Sequence, residues 1–303
     1  MTEPATNASA ENVSTRDVDP ELPRTSYLGA EHVLDEMSAD GRHRTARTSA
    51  LHVIVLAMMA GAFVTAGALF SVVVATGVDA SGPKMLLAGF AFSAGFFFVL
   101  LSRTVLFTEA NVVLPAVLLD HPPREIVRRV GRFWALAWVG NLAGAVLIGA
   151  LVVASQPLSD GFRDELAAFI AKKTMYAEIG TLEAWFAAVL SGVFANWLVG
   201  MAAFFAVMGR TIVGMYVPVL LAVSLFVAAN FQHSPANMGY FALATPLQIG
   251  PGWPTALWWN IVPAGIGNMI GGAALVAVPF WYVLRPDASK RPREEDSCTD
   301  SRR

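Results

Sequence analysis

Leu106-Phe107-Thr108-Glu109-Ala110-Asn111 and Phe231-Gln232-His233-Ser234-Pro235-Ala236-Asn237 are two short polar interruptions inside long apolar runs. Non-helical backbone at membrane depth survives only where it is buried in protein or lines a cavity, because lipid offers its polar groups no partners. Two such breaks in corresponding halves of a chain point to a substrate path near the bilayer midplane rather than a plain helical anchor.

The rest of the chain fits that reading. Of 303 residues, 55% are hydrophobic and only 15% charged, where a soluble domain carries nearer a quarter. The charge is segregated to the two ends, and the net charge of -2 leaves no nucleic-acid footprint. Cys298, the single cysteine, rules out an intramolecular disulfide. No apolar stretch occurs in the first 48 residues, so no cleavable signal is expected and the first span must direct insertion.

Six spans are predicted, near 51–76, 85–119, 133–154, 182–208, 212–244 and 256–283. The runs 85–119 and 212–244 exceed the ~20 residues of one crossing and contain the interruptions, so each reads as two half-helices joined by an elbow. Residues 49–284 then form an all-α polytopic membrane domain. Residues 1–48 read as a largely disordered tail and 285–303 as a second, mixed-charge tail. Sixteen Lys and Arg fall on the side of the tails and only Lys84, Arg163, Lys172 and Lys173 on the other. The positive-inside rule therefore places both termini in the cytoplasm and the protein in the inner (cytoplasmic) membrane. The 155–181 loop lies outside, with an interfacial helix expected near 160–173.

The halves repeat. Thr108-Glu109-Ala110-Asn111 matches Ser234-Pro235-Ala236-Asn237, and Gly140-Asn141-Leu142-Ala143-Gly144 matches Gly267-Asn268-Met269-Ile270-Gly271 at nearly equal spacing. Three spans per half make this an inverted 3+3 repeat. The four glycines read as helix-packing positions. Asn141 and Asn268 either hold the elbow backbones or make simple interhelical bonds.

Ser234-Pro235 is a helix-start signal, with Thr108 in the same role at the first elbow. Half-helices starting near the midplane would converge their positive ends on a small anion. His233 is the central ionisable group and reads either as a proton relay or as a neutral histidine bonded to a carbonyl or to Thr108. Arg103 must find a partner or water at that depth. Glu109 is the nearest carboxylate in sequence, so the two form either a structural pair or a means of tuning a vestibule. Leu106, Phe107 and Phe231 are candidate apolar constrictions, which gate hydrated ions by dewetting. Nothing resembles a metal-ligand cluster, a phosphate loop or a nucleophile–base pair, so neither an enzyme nor a cofactor is expected.

Leu106-Phe107-Thr108, Asn196-Trp197-Leu198-Val199, His233-Ser234-Pro235-Ala236-Asn237-Met238 and Ile261 through Gly272 resemble, in order, segments of the formate/nitrite transporter family. That resemblance implies an aquaporin-like protomer, a homopentamer with one path per protomer, and passage of small monovalent anions such as formate, nitrite or acetate. It places Thr108 on the family's elbow threonine and His233 on its central histidine, so that an anion would gain a proton and cross the neck as neutral acid. Departures are Val105 and Gln232 where the family often has acidic residues, and Glu109 where it is commonly neutral. The family's lysine aligns with Thr211, beside Arg210. A path for a neutral solute or cation, or a non-transporting membrane assembly, are the competing readings.

Overall fold

A computed structural model of the chain describes residues 27–47, 49–119 and 124–284. Among them there is no β-strand, only an isolated bridge between Tyr27 and Gly209. The 285–303 tail, Cys298 and most of the N-terminal tail lie outside the described residues.

Each interruption is a break between helices. The first span, α2 (Ala50–Ala75), starts at Ser49, whose hydroxyl accepts the His52 N–H. The second is α3 (Ser81–Ser102) followed by α4 (Phe107–Leu119). Between them Arg103 takes the left-handed conformation at φ 51° and turns the chain. The third, α5 (Arg124–Ser155), begins earlier than its apolar run, so the arginines expected in a loop extend the helix. The fourth is α7 (Leu182–Met208). The fifth is α8 (Ile212–Ala228) followed by α9 (Ser234–Ala244), with Asn230 left-handed at φ 57° in the break. The sixth, α10 (Trp253–Leu284), contains two π-turns, at Leu257–Ile261 and Ala273–Ala277.

Two further helices are not crossings. The first helix, α1 (Ala30–Arg47), occupies part of the segment expected to be disordered. Its Val33, Leu34 and Met37 are buried in a cluster with Val112, Val113 and Phe204, which supplies the apolar burial that composition alone hid. It also meets the C-terminal end of α10, so both ends of the described chain share one face. Between α5 and α7, α6 (Asp160–Ile179) is longer than predicted and folds inward. Its Phe162, Leu166, Phe169, Ile170, Lys173 and Tyr176 are buried, and it packs against α9.

The inverted repeat is written into the packing. In the first half α2 lies against α5, and in the second α7 lies against α10. A Cβ at Gly144 would overlap the carbonyl oxygen of Met58, and one at Gly271 that of Val193. These glycines let paired backbones touch, which is how helices associate where lipid removes the hydrophobic driving force.

Candidate functional site

The two elbows meet at the centre of the bundle. His233 is the N-cap of α9, with its Nδ1 accepting the Ala236 N–H at 3.2 Å. Ser234 is not the cap. The Ala236 N–H goes to the imidazole, and Ser234 Oγ instead accepts the indole N–H of Trp138 at 3.1 Å. With Nδ1 accepting, the neutral ring carries its proton on Nε2, which lies 2.9 Å from Thr108 Oγ1 and donates to it. Thr108 does not cap α4; it stands inside the first turn and faces the histidine. Both side chains are buried, and the Phe226 ring lies 5.2 Å from the imidazole, centroid to centroid.

Asparagines from the third and sixth spans clamp the elbows. Asn141 accepts the Phe107 N–H at 2.9 Å and donates to Val105 O and Ala57 O. Asn268 accepts the Ser234 N–H at 2.8 Å and donates to Gln232 O and Gly192 O. Two of these bonds recur 127 positions on, and the third passes from Ala57 to Gly192, 135 positions on, so Leu106 is the counterpart of His233 and Phe107 of Ser234. That is one residue off the pairing of Thr108 with Ser234 that similarity of sequence indicates, because backbone geometry and not side-chain likeness sets the register. Asn196 joins the halves by donating to Thr108 O and Asn268 O. Asn237 supports its elbow through Gln232 Oε1 and Asn260 Oδ1. Asn111 does not: its side chain has no hydrogen-bond partner among the described residues, and its backbone packs where Gly272 leaves room.

The apolar candidates divide. Leu106 is fully buried in the large cluster that also holds Phe92, Phe226 and Tyr240. Phe107 packs into a second cluster with Val53, Ala57 and Phe133. Phe231 is partly buried and stacks on Phe194 at 5.6 Å.

The charged candidates fall elsewhere than sequence proximity implies. Glu109 pairs with Arg44 of α1, not with Arg103, through two bonds of 2.9 and 3.1 Å. Arg103 is exposed at the end of α3, where the left-handed turn directs it outward. Arg210 and Thr211 lie exposed at the α7–α8 turn, at the opposite end of α8 from the second elbow; Thr211 caps α8 by accepting the Gly214 N–H at 3.0 Å.

The cation beside the site is Lys173, which sequence reading had treated as loop charge. It is 6% exposed, and its Nζ lies 5.9 Å from the Tyr240 ring centroid, where the π face partly offsets its burial. Among the described residues it has no carboxylate partner. Burial, and after it the charge of Lys172, brings its ammonium down from the ordinary 10.5 to about 7. Asn260, in the first π-turn, donates to Lys173 O at 2.9 Å and to Gln232 Oε1 at 2.9 Å, tying α6 to the second elbow. The signal was present: Lys173 falls on the apolar stripe of an amphipathic helix, where a lysine is out of place.

Broken helices, clamped elbows and a histidine–threonine pair at the crossing define a polytopic membrane transport protein built on an inverted repeat. Residues 31–282 match the family model described as formate/nitrite transporter, and the chain belongs to that family. It is 31% identical over 252 residues to a probable formate transporter of Methanothermobacter thermautotrophicus, covering 76% of this chain and 88% of that one. It is 26% identical over 253 residues to the formate channel FocA of Escherichia coli, covering 77% and 86%. In fold it is similar to a solved FNT family ion channel, with a TM-score of 0.68, 22% identity and coverage of 84% and 99%. A pentameric formate channel with formate bound gives a TM-score of 0.63 at 23% identity, covering 78% and 98%.

Proposed function

We propose that the protein passes small monovalent anions of weak acids, formate, nitrite or acetate among them, each with one proton. The observation that carries this reading is a buried lysine without a carboxylate partner among the described residues, Lys173, on the helix that Asn260 ties to the His233 elbow. A buried charge is costly unless paired. An arriving anion supplies the missing partner, and nothing in the site supplies one to a cation.

The anion collects at Lys173 and reaches Thr108, whose hydroxyl is polarised by the Nε2–H of His233. The proton comes from the vestibule as hydronium and makes the anion, held by the Thr108 hydroxyl, a neutral acid, leaving water behind. His233 keeps its Nε2 proton, since losing it from a neutral ring would leave an imidazolate, a far stronger base than these anions. Because Nδ1 is held by the Ala236 N–H, the ring stays neutral and orients the Thr108 hydroxyl for that transfer rather than storing a proton. The neutral acid then crosses the neck at Leu106, with Phe107 and Phe231 as flanking constrictions. It thereby avoids the several kcal/mol, at least ~2 on the most lenient scale, of taking a bare charge through an apolar neck. A cation path drew on Glu109, and that carboxylate is engaged by Arg44. The likeness to a pentameric channel and the exposed apolar flanks support a homopentamer with one path per protomer. The arginine distribution supports cytoplasmic termini in the inner membrane, with residues 49–284 as the channel domain.

The test is uptake of labelled formate and acetate into proteoliposomes at external pH 5 and 7, with wild type beside His233→Ala. Acid-stimulated uptake that disappears in the variant is the expected result. A well-folded wild type that takes up neither acid would refute it.

A further inference from the structure

Glu109 is a buried carboxylate that anion passage does not use and that ought to oppose it. It is 7% exposed and directly follows Thr108 in the first turn of α4, so its charge lies one residue along the chain from the hydroxyl that meets the anion and acts across the poorly screening interior. Its neutralising partner comes from outside the six spans. Both oxygens of Glu109 accept from the two terminal nitrogens of Arg44, a fork-to-fork geometry that fixes distance and direction together. Arg44 Nη2 is also 2.7 Å from Asp40, one turn earlier on α1. Asp40 is 40% exposed, so water screens most of its charge, whereas the Glu109 side chain at 10% depends on the guanidinium. Arg44 also lines a small cavity of about 40 Å³ with Val53, Phe133, Arg129 and Arg132. Where α1 crosses α4, a Cβ at Gly41 would collide with Val117, so the helix is seated closely enough to hold the pair in register.

We infer that Arg44 is a specificity-determining residue: the counter-ion, delivered by the N-terminal helix, that keeps a path carrying Glu109 beside its elbow threonine permissive for anions. The inference rests on the anion reading above. With the guanidinium present the pair is locally neutral. Without it, at a pH where Glu109 remains ionised, a negative charge stands one residue from Thr108 and repels the substrate.

The experiment is a double-mutant cycle in proteoliposomes, reading uptake of labelled formate and, in the same vesicles, of a labelled monovalent cation, rubidium. Arg44→Gln is expected to lower formate flux at least tenfold and to raise the ratio of rubidium to formate taken up. Glu109→Gln in that background is expected to return both to within threefold of wild type, and Arg44→Lys to keep the ratio. A structural strut would leave the ratio unchanged, and would not be rescued by removing its second half. Gel filtration and melting of each variant separate misfolding from loss of selectivity, with Arg44→Lys as the folded comparison. Wild-type formate flux that Arg44→Gln leaves unchanged, or a double variant as impaired as the single, would overturn the inference while leaving the anion reading intact. Wild type that carries no formate at all would remove both.

Discussion

Replacing Lys173 by methionine separates the function of a residue from its cost. The ammonium is brought from 10.5 to about 7 by burial first and Lys172 second. At about 1.36 kcal/mol per unit, that shift corresponds to about 5 kcal/mol against the charged form in the folded protein. The sign follows from linkage. Between pH 7 and 10.5 the unfolded chain holds a proton that the folded chain has released, so stability rises with pH across that window, and below 7 the full penalty applies. Methionine fills the same space without charge. Lys173→Met is therefore expected to melt higher than wild type at pH 6, and to lose the rise in stability between pH 7 and 10. Its transport should move the other way. An anion ~4 Å from an ammonium gains ~4 kcal/mol at an effective dielectric of 20. A formate flux reduced at least tenfold at pH 6 is a conservative expectation, since tenfold is 1.4 kcal/mol. Tryptophan fluorescence in detergent, with eight tryptophans in the chain, reads the melting, and labelled formate in proteoliposomes reads the flux. A variant that melts lower than wild type yet transports equally would refute the argument, because Lys173 would then be a satisfied structural residue.

Other consequences are as concrete. Wild-type formate uptake should fall as pH rises through about 7, because Lys173 is charged only below that value; a profile flat from pH 6 to 8 contradicts it. Asn141→Ala and Asn268→Ala each strip three hydrogen bonds from a buried elbow and should destabilise by roughly 2–5 kcal/mol, measured as melting in detergent. Asn111→Leu, at a side chain without partners, should be tolerated within ~1.5 kcal/mol in the same assay. Gly144→Val should abolish the folded protein, because α2 and α5 cannot keep their contact around a side chain; recovery of intact protein at normal yield would show that the helices can part.

The breaks, the spans and the paired GNxxG segments were legible because polar or backbone-breaking residues in apolar runs have few explanations in a membrane. His233 and Thr108 stood out on the same ground, and they do meet. What stayed hidden depended on three-dimensional distance. Glu109 and Arg103 are six positions apart, but the left-handed turn at Arg103 points it away, while Arg44, sixty-five positions off, arrives with α1. That helix itself was masked by its composition, since Val33, Leu34 and Met37 are few among charges and only their burial against α4 reveals a face. Lys173 was counted for topology as one cation among four, when the stripe from Phe162 to Tyr176 marked it as turned inward.

The matched clamps of Asn141 and Asn268 carry a consequence for ancestry. Two halves that hold their breaks with matching bonds, in opposite senses across the bilayer, descend naturally from one short chain able to insert either way up. Once they were fused, each could drift alone. Leu106 and His233 occupy equivalent positions, yet one is an aliphatic plug and the other an ionisable ring. The scaffold is still a palindrome, and the chemistry is no longer one. The two mouths of the path therefore present an approaching solute with different surroundings, and the direction of travel has a physical meaning that the backbone alone would not give it.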